Sequence, residues 1–417
     1  MGWNVLKDYF IASLKFRVAL ASAVLVAIVI SPLLFTYSNT SLLVNYWTSI
    51  EQLIFSLIML PEAIILFVAA IKESLIFRIF CFVMFLMVMV WACHYIPVLG
   101  IYRGWVYVAQ LMFIFGFLAW LHVSDEKGLE WVYYLKLLSL IGTCVYFFYV
   151  YLGADLLEWR RNIKGHPPLY RHLRHMNYDL AFLIGLSAWM IFRGRIAHYL
   201  AFPIFFILGF LTLWTGGRGQ WVALLAFLVL SFMNRSFRAN LKKYMVIPFG
   251  LFSGGLALVL SGETHILFNS LTRSAADATI NRISSGRLSI WSRSIEALDG
   301  SWLFGAGPDA FIRLGVMGSN IVQPHNFVVQ FLLEFGVIGS LAIFLIFGYL
   351  LFKCLKIVIG RSSSLADVVL AALVISIPVF SVFDGLFYHI MPLSMFLMVS
   401  AYFFLPFADR NLNCKHL

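Results

Sequence analysis

Apolar runs of about 20 residues recur along this chain, and they leave few folds open to it. In hydrocarbon every backbone N–H and C=O must be paired inside the structure. Such runs therefore cross a bilayer as α-helices or as strands of a closed barrel. Barrel strands alternate apolar and polar residues over about 10 positions, and these runs are longer and more uniform. Charged residues make up 12% of the 417, about half the share of a soluble domain.

The expected fold is an all-α polytopic membrane protein of about 12 spans. They fall at 18–37, 50–71, 76–93, 104–122, 130–152, 177–192, 196–214, 217–233, 245–262, 333–353, 365–384 and 388–406. The run after Lys7, Lys15 and Arg17 is longer than a signal-peptide core and reads as an uncleaved first span. Pro61 is expected to kink or break the second span. Helices one to nine thus occupy 1–262, a polar loop 263–332, and the last three helices and a tail 333–417. Five cysteines without a C-x-x-C pair argue against a zinc ribbon or disulfide framework.

A net charge of +11 in such a chain reflects topology rather than nucleic-acid binding. With the N-terminus inside, seventeen Lys and Arg fall on the cytoplasmic side and twelve outside, with Lys136 in a span. The outer ones cluster. Arg160, Arg161, Lys164, Arg171 and Arg174 share the loop 153–176 with His166, His172 and His175. Arg273, Arg282, Arg287, Arg293 and Arg313 share the large loop, while Arg103 and Arg218 edge other spans. Arginines there oppose the insertion signal, which points to an anionic partner on that face. Contact with anionic headgroups is the plainer alternative.

Four stretches carry candidate chemistry. In TGGRGQWVALLAF a glycine pair turns the chain and Arg218 opens a span. Free N–H groups, the helix dipole and a guanidinium fork together make a phosphate site; the simpler alternative is snorkelling to headgroups. In NRISSGRLSIWSRSIEALDG, Ser284 or Ser285 is expected to cap a helix that Asp299–Gly300 ends, with Leu288, Trp291, Ile295 and Leu298 on its apolar face. Arg287 stands in its first turn, where a cation is disfavoured unless an anion neutralises it. An exposed arginine on a solvated face is the equal alternative. FGAGPDAF reads as a structural turn, with Asp309 able to cap a short helix. In IVQPHNFVVQFLLEFGVIG, Pro324 breaks the chain and His325 and Asn326 open a helix. Histidine titrates near 6.5, so His325 can act as a base, although a lone histidine is more often structural. Glu334 lies about 13 Å further along a straight helix and is expected to pair within the bundle. Asp384 and His389 flank the last outer turn as a second acid–base pair.

In that order these motifs resemble the O-antigen ligase and O-antigen polymerase superfamily, over roughly residues 175–360. The resemblance implies a bacterial inner-membrane glycosyltransferase of GT-C type with its active site facing the periplasm. The implied donor is a glycan on undecaprenyl pyrophosphate, and neither metal nor cofactor is implied. It marks Arg218, Arg287 and His325 as the functional positions. The family pattern commonly has serine before the first arginine, where this chain has Gly217.

The resulting expectation is an O-antigen ligase, with both termini cytoplasmic and lipid A–core as acceptor. Arg218, Arg287 and His325 are its catalytic set. Arg160, Arg161, Arg171, Arg174, Arg293, Asn326, Asp384 and His389 are expected to bind substrate. A polymerase using the same donor is the alternative within the superfamily. A transporter, the alternative from another class, needs ionisable groups at mid-membrane, where Glu51, Glu62 and Lys136 are the candidates.

Overall fold

The structure is a computed structural model, and it describes residues 3–34, 41–93, 98–124, 127–153, 173–240, 245–260, 286–317, 321–361 and 363–404. Among these no strand occurs. The helices run α1 (Trp3–Leu34), α2 (Ser41–Ile58), α3 (Leu60–Glu73), α4 (Leu75–Cys93), α5 (Val98–Ser124), α6 (Lys127–Gly153), α7 (Leu173–Phe192) and α8 (His198–Thr215). They continue as α9 (Arg218–Met233), α10 (Arg235–Ala239), α11 (Val246–Leu260), α12 (Arg287–Glu296), α13 (Ala310–Arg313), α14 (Phe327–Ile359), α15 (Leu365–Phe383), a 3-10 turn (Leu386–Tyr388) and α16 (Ile390–Phe404).

Several of these helices are apolar, which fits a membrane protein. By length and composition the described residues hold 3 helices able to cross a bilayer, at Arg103–Leu121, Phe327–Ile359 and Leu365–Phe383. A bent pair, α2 and α3, makes up to 4, against the twelve expected. Shorter apolar helices include α9, α11 and α16. The pair α2–α3 is bent by 80° after Ile58, where Pro61 sits in the first turn of α3. That is the break expected from the proline.

Helix α15 forms the middle of the bundle, touching α7, α9 and α14, and its Val368 to Leu373 run is buried. Helices α8 and α11 pack most closely of all, because Gly254 lets the backbones meet. A Cβ there would lie 1.9 Å from the carbonyl oxygen of Phe206.

Helix α14 departs from the expected span in two ways. It starts at Phe327 rather than 333, and Gly336 breaks it with φ 62 and ψ −169. The backbone groups freed by the break are satisfied by the loop 302–307. Ala306 N donates to Leu333 O at 2.8 Å and Gly307 N to Glu334 O at 3.0 Å. In return Val337 N and Ile338 N donate to the carbonyls of Trp302 and Leu303 at 2.8 and 3.1 Å. Irregular backbone inside an apolar helix persists when protein groups pair it in this way.

Polar contacts sort the loops into two ends. At one end Arg195 Nε donates to Glu130 at 2.9 Å, Asn234 Nδ2 to the carbonyls of Val358 and Gly360, and Tyr402 to Asp367 at 2.7 Å. At the other, Tyr178 meets Asp384 and Arg103 meets Tyr388. Two of the ionisable groups noted at depth are paired: Lys136 with Asp179 at 2.9 Å and Glu62 with Arg17 at 2.7 Å.

Candidate active site

The second end gathers the start of α7, the Gly216–Gly217 turn, the 321–326 segment and the 384–389 turn. Gly216 caps α8 at φ 64, and its N–H returns to Leu213 O, which swings the chain directly into α9. Arg218 is thereby the first residue of α9, half-buried. The absence of a side chain at 217 has a spatial reason here. A Cβ would lie 2.3 Å from Asn177 Nδ2, so serine at this position would collide with α7. Gly219 similarly faces Phe380 near the end of α15, the residue whose carbonyl caps Asp384 N.

His325 sits across this end, in left-handed backbone at φ 54. Its Nδ1 is 3.8 Å from Asp384 Oδ1, longer than a hydrogen bond but within ion-pair range once the ring is protonated. Asp384 is held for that role: its Oδ1 accepts from Tyr178 OH at 3.0 Å and from Gly385 N at 2.8 Å. His389 Nε2 accepts from Gln323 Nε2 at 3.0 Å, and its ring stands edge-on to His175 with centroids 4.6 Å apart. Asp384 and His389 were expected as a pair with each other; the structure instead aligns Asp384 with His325 and His389 with Gln323. Two buried oxygens around the cluster, Asn177 Oδ1 and Gln323 Oε1, have no hydrogen-bond partner among the described residues. Buried polar atoms are seldom left so, and two in one place suit a site that receives a polar ligand.

Helix α12, which Arg287 opens, is tied to the 321–326 segment. Trp291, one turn on, donates Nε1–H to Pro324 O at 2.9 Å, next to His325. The expected cap and apolar face need correction. Ser284 and Ser285 lie outside the described residues, and the cap is Gly286 at φ 77, with no side-chain bond. The helix ends at Glu296, before Asp299–Gly300. Its buried residues are Ile290 and Ser294, and Leu298 just past its end is buried as expected, while Leu288 and Ile295 are both 42% exposed. Ile290 and Leu298 pack with Ala310, Phe311 and Leu333 into a small core of their own. Trp291 packs against this core, and Arg287 stands one turn before it.

Asn326 stands at a helix start, as expected, and caps α14: its Oδ1 accepts from Val328 N at 2.9 Å and Val329 N at 3.2 Å. Its carbonyl oxygen is thus engaged, leaving the amide N–H groups for any substrate. Asn326→Ala is expected to lower stability by about 1 kcal/mol and Asn326→Asp to retain it. Thermal unfolding in detergent checks this. Arg293 lies on the exposed face of α12 beside Met317 Sδ at 3.6 Å. Arg160, Arg161, Lys164, His166, Arg171, His172, Arg273 and Arg282 lie outside the described residues; Arg174 belongs to α7, its side chain not described.

Asp309 is the other non-glycine with positive φ among the described residues, at 58. It precedes α13 without capping it, and its carboxylate accepts from Tyr388 OH at 3.2 Å instead. Burial pushes its carboxyl above the usual range, with nearby Arg103 pulling the other way. Burial likewise pushes the Tyr388 phenol up.

The whole is a helical, membrane-type bundle with histidine, carboxylate and arginine gathered at one end. Residues 203–345 match the family model described as O-antigen ligase, which agrees with the resemblance to the O-antigen ligase and polymerase superfamily. The matched stretch runs from α8 into α14 and includes Arg218, Arg287 and His325. No curated protein and no solved structure matches the chain.

Proposed function

We propose that this chain is an O-antigen ligase of the bacterial inner membrane. It transfers polysaccharide from undecaprenyl pyrophosphate to lipid A–core on the periplasmic face, with both termini in the cytoplasm. One observation carries the reading: His325 beside Asp384 at the bundle end where α9 opens on Arg218, within the matched stretch.

The acceptor hydroxyl gives its proton to His325 as its oxygen bonds to the anomeric carbon. The bond from that carbon to the diphosphate oxygen breaks, and the configuration inverts because displacement is direct. Asp384 favours the imidazolium that forms, and Tyr178 keeps Asp384 in place. Arg218 and Arg287 balance the charge that grows on the leaving diphosphate, which is electrostatic stabilisation by preplaced donors. Undecaprenyl pyrophosphate departs, and His325 returns its proton to water.

The test is reconstitution with lipid-linked polysaccharide and lipid A–core. Polysaccharide on lipid A–core is the expected product. Longer glycans on undecaprenyl pyrophosphate, with lipid A–core untouched, would make the chain a polymerase. No glycosidic product at all would remove the reading. Against a transporter, two of the three ionisable groups at depth are held in ion pairs, Lys136 with Asp179 and Glu62 with Arg17.

A further inference from the structure

Behind the turn that carries His389 the bundle buries a second charged cluster. Arg103 of α5 is 5% exposed. It donates from Nη2 to the Tyr388 carbonyl at 2.6 Å, and its guanidinium lies over the Tyr388 ring, 4.3 Å from the centroid. Tyr107, whose ring also faces Arg103, donates its hydroxyl to Glu334. The other Glu334 oxygen accepts from Asp309 N at 3.2 Å, and Tyr388 OH returns to Asp309. One cation, two carboxylates and two phenols thus join α5, α14, the loop before α13 and the 385–389 turn.

Bundle stability alone does not require such a cluster, since apolar packing of the same volume is often at least as stable as buried ions. What the cluster does is hold geometry. Asp309 keeps its left-handed backbone through Glu334 on one side and Tyr388 on the other. On the far side of Tyr388, His389 meets Gln323, and Gly385 is packed so tightly on Gln323 that a Cβ there would lie 1.5 Å from Oε1. Gln323 stands two residues before His325, the other strained position. Strained backbone persists only where the surroundings over-determine it.

We propose that Arg103 and Tyr388 are positioning residues: they lock the 385–389 turn against Gln323 and thereby fix the His325 ring beside Asp384. The proposal rests on the reading of His325 as the base, and its test separates the two. Tyr388→Phe removes one hydroxyl, and the double variant Arg103→Gln/Glu334→Gln removes one charge of each sign. Amide hydrogen exchange is measured on the detergent-solubilised protein without substrate, and kcat and KM for the lipid-linked donor on the same samples.

The expected result is exchange about tenfold faster, confined to 321–326 and 385–389. Alongside it kcat falls about tenfold while KM is unchanged, as misplacement of a catalytic group demands. Unchanged exchange overturns the proposal, and so does faster exchange with wild-type kcat. If the double variant does not accumulate, Tyr388→Phe decides alone. If the wild type transfers no glycan, the ligase reading fails while the exchange result still decides whether the turn is locked.

Discussion

Replacing His325 is expected to reduce polysaccharide transfer by about 10³-fold, the middle of what a positioned base contributes. The choice of substitute matters because this residue sits at φ 54. Alanine there adds backbone strain to the loss of the ring. Asparagine tolerates left-handed backbone far better, so His325→Asn separates chemistry from folding. Arg218→Ala is expected to cost about 10²–10³-fold through lost stabilisation of the diphosphate. Arg218→Lys should recover part of that loss, since it keeps the charge without the fork. The measurement is transfer by reconstituted variants at equal protein, with membrane abundance as the control. His325→Asn at wild-type rate would remove the base from the mechanism. Wild-type transfer by Arg218→Ala would remove the diphosphate site from the start of α9.

Parts of this site were legible in sequence because they rest on local rules. Asn326 after a proline announces a helix start, and the structure caps α14 there with two N–H bonds. The Gly216–Gly217 pair announces a turn that leaves Arg218 at the mouth of a helix, and Gly216 takes φ 64 to make it. Other parts depend on contacts between distant segments, which periodicity does not encode. Asn177, Tyr178 and Asp179 lie early in α7 and give one usable signal, a polar run where hydrocarbon would expect none. The partners of the first two, Gly217 and Asp384, could not be named from it. The apolar face of α12 was misread for a related reason. Leu298 and Trp291 pack as their spacing implies, yet the neighbours available to bury against meet Ile290 where Leu288 and Ile295 were expected. Arg103 looked like the edge of an outer loop, and nothing near it in sequence points to Tyr388 or Glu334.

The break in α14 was invisible for the opposite reason, since EFGVIGSLAIF reads as uninterrupted apolar helix. It leads to the second large effect: Gly336→Ala is expected to destabilise the protein by about 3 kcal/mol or more. Two costs add. The conformation at φ 62 and ψ −169 belongs to a region that is essentially glycine's alone. A Cβ would also lie 2.3 Å from Gly305 N and 2.5 Å from the carbonyl of Leu303, backbone atoms that have no rotamer to retreat into. Moving them would open the bonds from Val337 to Trp302 and from Ala306 to Leu333, leaving N–H and C=O groups unpaired in an apolar setting. Gly348 supplies the control on the same helix. Nothing lies within 4 Å of a Cβ there, so Gly348→Ala should be neutral or stabilising by about 0.5–1 kcal/mol. Thermal unfolding and membrane abundance of the two variants, side by side, are the measurement. If both behave alike, α14 tolerates straightening, and the 302–307 loop is not what holds Glu334 in place.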